Sequence, residues 1–222
     1  MLFLGFGYTM IIAVAAGPKG NRSTVSGKAL PGYFYRLSAR AQRVWLKSDS
    51  IDRYELVPDA PTFRLTTAVM AAVPSGDSLL IERAAQALTD QICALMAVHG
   101  VRVEVRGVRP HNTRGELHGI FYPRGPSAGP GAPLIILWMR TAQRHDVVKP
   151  KTFLRTLMHE LGHYLDYALL RLDDSFHTAG FFRRESFLVR ILCPPEISEQ
   201  CSVSGALLGN EKPRAKIATT SK

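Results

Sequence analysis

The segment His159-Glu160-Leu161-Gly162-His163 places two imidazoles and a carboxylate within one helical turn. Residues four apart lie on one face of an α-helix, so both histidines can bind the same cation. Glu160 then stands about 100° round the helix from His159, within reach of a water in the open position of a bound ion. A Zn2+ ion so held, with Glu160 as general base, is the arrangement of a hydrolytic centre.

A pattern with three fixed positions recurs by chance, so the flanking sequence must support it. From Thr152 to about Leu172 the chain reads as one helix, with Pro150 ahead of its start and Gly162 as its sole internal glycine. Leu154, Leu157, Met158, Leu161, Leu165, Ala168, Leu169 and Leu172 form an apolar stripe, and His159, His163 and Asp166 lie opposite it.

A mononuclear catalytic zinc takes a third protein ligand, and Asp166, Asp173, Asp174, His177 and Glu185 are the downstream candidates. Thr178 is suited to N-cap a second helix from Ala179 to about Leu192. Rises of roughly 13 Å down one helix and 9 Å back along the next bring Glu185 near the level of His163, whereas His177 has to fold back from the tip. Phe181, Phe182, Leu188, Val189 and Leu192 surround Glu185 on the helical wheel, with Arg183, Arg184 and Arg190 on the other side. A carboxylate on an apolar face calls for a cation, a metal or a raised pKa. Zinc is the preferred partner; a salt bridge to Arg155, and His177 as third ligand, are the competing readings. Asp166 either orients an imidazole from behind or is a solvated or capping residue at the helix junction.

These residues resemble a zincin metallopeptidase, and a glutamate supplied by the following helix resembles the gluzincin branch. The stretch His159-Glu160-Leu161-Gly162-His163-Tyr164-Leu165-Asp166 is also similar to the H-E-x-G-H-x-x-D form of lethal-factor-like peptidases. The resemblance implies His159, His163 and Glu185 as zinc ligands and Glu160 as general base of a peptide hydrolase acting on a peptide or protein substrate. Ser186 matches the small residue that often follows the gluzincin glutamate, whereas Arg184 replaces the asparagine that often precedes it. Tyr164, Tyr167 and His177 are candidates to stabilise an oxyanion. The alternative is a noncatalytic zinc-binding regulatory or interaction protein that retains such a fold.

The elements that must position this helix are legible around it. Helical spacing runs from Tyr33 to Lys47 and from Leu79 to His99, and alternation at Val101, Val103 and Val105 marks a strand. Gly119 to Tyr122 and Leu134 to Met139 read as two more strands, separated by a Pro/Gly/Ser loop. The expected fold is α+β and zincin-like: a backing helix and a twisted mixed sheet over the H-E-x-x-H helix, followed by an antiparallel ligand helix. Either later strand could be the sheet edge that receives an extended peptide.

Three segments are expected: an apolar segment and linker over 1–30, the metallopeptidase domain over 31–205, and a basic tail over 206–222. At 222 residues one domain suffices. The net charge of +10 (28 Lys and Arg, 18 Asp and Glu) favours acidic partners, but the cations are scattered and no nucleic-acid motif accompanies them. Cys93, Cys193 and Cys201 lack metal or disulfide spacing, which points to a reducing, cytoplasmic location. Against that, Leu2 to Ala16 is apolar like an export signal, although it lacks a preceding cation and is too short for a firm membrane span.

Overall fold

The computed structural model describes residues 8–9, 24–25, 28–112, 115–124 and 131–193. The apolar N-terminal segment apart from Tyr8–Thr9, part of the linker and the basic tail therefore lie outside the described residues. In chain order the elements are β1 (Tyr8–Thr9), β2 (Thr24–Val25), β3 (Lys28–Ala29), α1 (Ala39–Asp49), α2 (Ala60–Ala72) and α3 (Ser78–Leu95), then β4 (Arg102–Val108), β5 (His111–Asn112), β6 (Gly115–Glu116), β7 (Gly119–Tyr122), β8 (Leu134–Arg140), α4 (Pro150–Ala168) and α5 (Ala179–Leu192). Within the expected linker, β2 and β3 pair antiparallel.

Capping fixes where the helices begin. Ser38, Asp59, Asp77 and Thr178 each accept a hydrogen bond from a first-turn amide, and Pro150 opens α4, where no amide hydrogen is needed. The helix α2 has no counterpart in the sequence reading. Its buried stripe, Thr62, Thr66, Val69, Met70 and Ala72, includes two threonines, while Ala60, Ala68 and Ala71 are exposed, so the apolar residues do not mark the buried face.

The four-stranded sheet has the order β1-β7-β8-β4, with β4 parallel and β7 antiparallel to β8. Leu134 to Met139 are all buried, as expected of an interior strand covered on both faces. One face of the sheet carries Val103, Val105, Phe121, Ile135 and Leu137 into the main core with Leu88, Ile92, Leu154, Leu157 and Leu161. The other face gathers Ile120, Leu134, Ile136 and Trp138 into a smaller cluster. Both strands considered as a peptide-receiving edge are already paired on two sides, β7 between β1 and β8, and β8 between β7 and β4.

The α+β arrangement of helices on a mixed sheet is present, but the zincin-like architecture expected from the gluzincin resemblance is not. In the expected fold α5 supplies a metal-ligating glutamate to the H-E-x-x-H helix. Here α4 instead contributes two members of a three-histidine cluster completed from the α4–α5 connection.

The helices α4 and α5 run antiparallel, since Phe181 packs against Gly162 and His163 while Glu185, one turn later, meets His159 and Arg155. The far side of α5 is covered by the C-terminal end of α1. At Gly180 an added Cβ would collide with the carbonyl oxygen of Ser48 and lie 2.6 Å from that of Asp49. Backbone cannot yield as a side-chain tip does, so this helix crossing needs glycine. Gly180→Ala is expected to lower unfolding stability by about 1–3 kcal/mol through overpacking, read from the midpoint of a urea titration, and an unchanged midpoint would contradict the contact.

Candidate metal centre

His159 and His163 project from α4 and meet His177 from the connection that follows it. Their Nε2 atoms form a tight triangle: 3.2 Å between His159 and His163, and 3.0 Å from each of these to His177. His159 and His163 are 1% and 3% exposed. The cluster is geometrically compatible with coordinating a Zn2+ ion. Zinc–nitrogen bonds of about 2.0–2.1 Å in a tetrahedron set ligand nitrogens roughly 3.3 Å apart, close to the spacing seen.

The groups behind the rings determine which nitrogen carries the proton. The Nδ1 of His159 lies 3.1 Å from Glu185 Oε2, and a carboxylate can only accept, so the proton sits on Nδ1. Ser175 gives its single hydroxyl proton to Asp166 Oδ2 at 2.7 Å, and its Oγ therefore accepts from His163 Nδ1 at 2.7 Å. Both assignments leave Nε2 as a bare lone pair. His177 Nε2 lies 3.0 Å from each of them, and with its own proton on Nδ1 three lone pairs converge, where a cation bound by all three turns their repulsion into attraction. Burial first, then the neighbouring imidazoles, hold His163 well below the usual histidine range. Burial and then His159 push His177 down to about 4. These shifts favour the neutral, metal-binding form.

The connection from Leu169 to Thr178 brings His177 back over α4. Arg171 adopts a left-handed conformation, φ 53°, and the amide of Leu172 donates to the Asp166 carbonyl at 2.9 Å, which reverses the chain. Ser175 then anchors on Asp166, and the amide of Thr178 donates to the Phe176 carbonyl at 2.7 Å, fixing His177 between them. Phe181 stacks on His163 and Phe182 on His177, so the ring faces are held as well as their edges.

Glu185, expected as the third ligand, is not in the cluster. Its Oε2 faces His159 Nδ1, and its Oε1 accepts from Arg155 Nε at 2.7 Å. Burial raises its pKa, but the hydrogen bond and charge of His159 and then Arg155 outweigh that and leave it lowered. The antiparallel register sets Glu185 one turn nearer the start of α4 than the level of His163, so it reaches the back of a histidine rather than the ion. Three histidines thus replace the two-histidine, one-glutamate set of a gluzincin.

Glu160 corrects the hydrolytic reading as well. It is 1% exposed, Oε1 has no hydrogen-bond partner among the described residues, and its side chain packs against Gly119, where an added Cβ would lie 2.8 Å from both Cγ and Oε1. Burial, then the charge of Glu185, push its pKa well above the ordinary carboxylate range. Glu160 is not a member of the three-histidine cluster and its carboxyl lies against Gly119, so the expected zinc peptidase with Glu160 as general base is not borne out. Both tyrosines considered for an oxyanion are committed elsewhere: Tyr164 donates to the His99 carbonyl and Tyr167 to Asp174 Oδ1.

The sequence reading did not single out Ser175 or Tyr54, and it placed Arg184 on the outer side of α5. Arg184 is fully buried and pairs with Asp166 at 2.9 Å, while the Tyr54 hydroxyl lies 3.3 Å from the same carboxylate. A mid-helix arginine beside Glu185 was the visible signal for Arg184; Tyr54 left none in periodicity or spacing.

Glu160→Gln is expected to leave the melting temperature of the metal-free protein unchanged or higher, since the isosteric amide has no charge to desolvate. A clear fall would show that the carboxyl is ionised and paired in the fold.

No protein-family model, curated protein or solved structure matches the chain. The zincin and gluzincin resemblance read from His159 to Ser186 is therefore corrected by the three-histidine cluster.

Proposed function

We propose that the protein is a zinc-binding protein in which His159, His163 and His177 hold the ion and tie α4 to the α4–α5 connection, in a noncatalytic regulatory or interaction role. One observation carries this reading: the Nε2 atoms of His159, His163 and His177 converge at 3.0–3.2 Å, with the Nδ1 protons of His159 and His163 committed to partners behind the rings. Such a convergence of imidazole nitrogens, oriented from behind, is what a cation needs.

The donor set is three neutral imidazoles, so a bound ion would keep its two positive charges, partly offset by Glu185 behind His159. The bound ion would supply a cross-link between residues eighteen positions apart in the chain, His159 and His177. It would also set the pose of His177 and of the exposed Phe182 stacked on it, which makes the adjoining surface of α5 responsive to metal. Among the described residues no helix is long and apolar enough to cross a membrane.

Purified protein is expected to retain about one zinc per chain, measured by elemental analysis after removal of loosely held ions. His177→Gln is expected to abolish tight binding, whereas Glu185→Gln should weaken it by about 10–100-fold, the usual loss for a group that orients a ligand. Competition with a chromophoric chelator ranks the two variants. The opposite order would return Glu185 to the coordination sphere. At free zinc about 100 times the Kd, binding should add about 2.7 kcal/mol to unfolding stability.

The zinc-loaded protein is expected to cleave no member of a broad peptide library above the buffer control. Cleavage that the parent shows and Glu160→Gln lacks would overturn the noncatalytic reading.

A further inference from the structure

We infer that Arg184, Asp166 and Ser175 form a relay through which docking of the 48–54 segment sets the metal affinity of the histidine cluster. The inference rests on the zinc-binding reading above and adds a means of regulating that site.

Arg184 is fully buried on α5 and joins two parts of the chain. On one side Nη1 donates to the carbonyls of Ser48 and Ile51, each at 2.7 Å, and Nη2 donates to Ser48 Oγ at 2.9 Å. On the other side Nη2 donates to Asp166 Oδ1 at 2.9 Å. Asp166 Oδ2 accepts the Ser175 hydroxyl, and Ser175 Oγ accepts the His163 Nδ1 proton, both at 2.7 Å. The 48–54 segment adds a second contact, since the Tyr54 hydroxyl lies 3.3 Å from Asp166 Oδ1 and 3.2 Å from the Gly162 carbonyl.

A continuous line of hydrogen bonds thus runs from the end of α1 to the back of a ligating imidazole. Its members Ser48, Arg184, Asp166, Ser175 and His163 are all buried, so water does not compete for these bonds. While the 48–54 segment is docked, both guanidinium ends are occupied and Asp166 is held where Ser175 can reach it. With the segment displaced, a buried cation loses its three bonds to Ser48 and Ile51. It must then shift toward other acceptors, and Asp166 and Ser175 move with it. A ligating ring whose supporting bond is lost binds metal more weakly. Linkage is reciprocal, so an ion that favours the docked arrangement must itself hold the segment down.

The test uses the full chain and leaves Arg184 intact, since breaking a fully buried ion pair threatens the fold. Zinc affinity is measured by chelator competition for the parent, Ser175→Ala, Tyr54→Phe and the double variant. Amide hydrogen exchange over 48–54 is followed with and without zinc. Ser175→Ala is expected to bind zinc about 10–100-fold more weakly, and Tyr54→Phe more weakly by a smaller factor. The double variant should lose less than the product of the two, because both act through Asp166. Zinc should slow exchange over 48–54 in the parent and have little effect there in Ser175→Ala, which a merely structural role for Ser175 would not produce. Parent-like affinity in both single variants, or exchange over 48–54 that is indifferent to zinc in the parent, overturns the relay and leaves the zinc site standing. A parent that binds no zinc overturns the site and the relay together.

Discussion

The buried ion pair between Arg184 and Asp166, 2.9 Å long and fully withdrawn from solvent, is the constraint on which the site depends. Removing two charges from water costs several kcal/mol each, and their attraction repays this only when the remaining donors and acceptors are also satisfied. Here Arg184 Nη1 and Nη2 find the carbonyls of Ser48 and Ile51 and the hydroxyl of Ser48, and Asp166 finds Ser175 and Tyr54, while Arg184 Nε alone of the pair's nitrogens has no partner among the described residues. Burial leaves the pKa of Asp166 raised, with Arg184 leading the interactions that oppose it. Each partner therefore ties down a different stretch of chain, and the pair fixes α1, α4, α5 and the connection relative to one another.

The histidine cluster follows from that frame. Two of its rings come from helical spacing alone, but the third depends on a reversal that Arg171 begins and Ser175 pins to Asp166. With Phe181 and Phe182 against the ring faces, and with Glu185 and Ser175 behind His159 and His163, the rings are held before any ion arrives. A pre-organised donor set loses little conformational entropy on binding metal, which favours affinity. The same burial that lowers the pKa of His163 raises that of Glu160, because desolvation disfavours the imidazolium and the carboxylate alike.

Glu185 shows how one turn of register changes a role. A carboxylate on the apolar face of α5 does need cationic partners, and it has them in Arg155 and the His159 ring edge. One turn closer to the level of His163 it would have faced the space between the histidines. Helix rise alone could not fix that offset, since it depends on how Gly180 lets α5 settle on the backbone of Ser48 and Asp49. The place of Arg184 was hidden for the same reason. With α1 packed on α5, Arg184 is interior, while Arg183 and Arg190 of the same expected side keep their exposure in part or in full.

Local chemistry in the sequence determined much of the frame. The limits of α5, its Thr178 cap, the strand Gly119–Tyr122 and the shared face of His159 and His163 all follow from spacing and short-range bonding that neighbouring residues settle among themselves. Tertiary structure decided what those residues meet. His177 completes the cluster because a non-local anchor, Ser175 on Asp166, folds the connection back. Glu185 stands behind His159 because of interhelical register, and Glu160 is sealed against Gly119 because β7 crosses it. The helix α2 is not visible in apolar periodicity because Thr62 and Thr66 occupy its buried face while Ala68 and Ala71 are exposed. Each of these outcomes depends on contacts between residues far apart in the chain, and those contacts leave no trace in spacing.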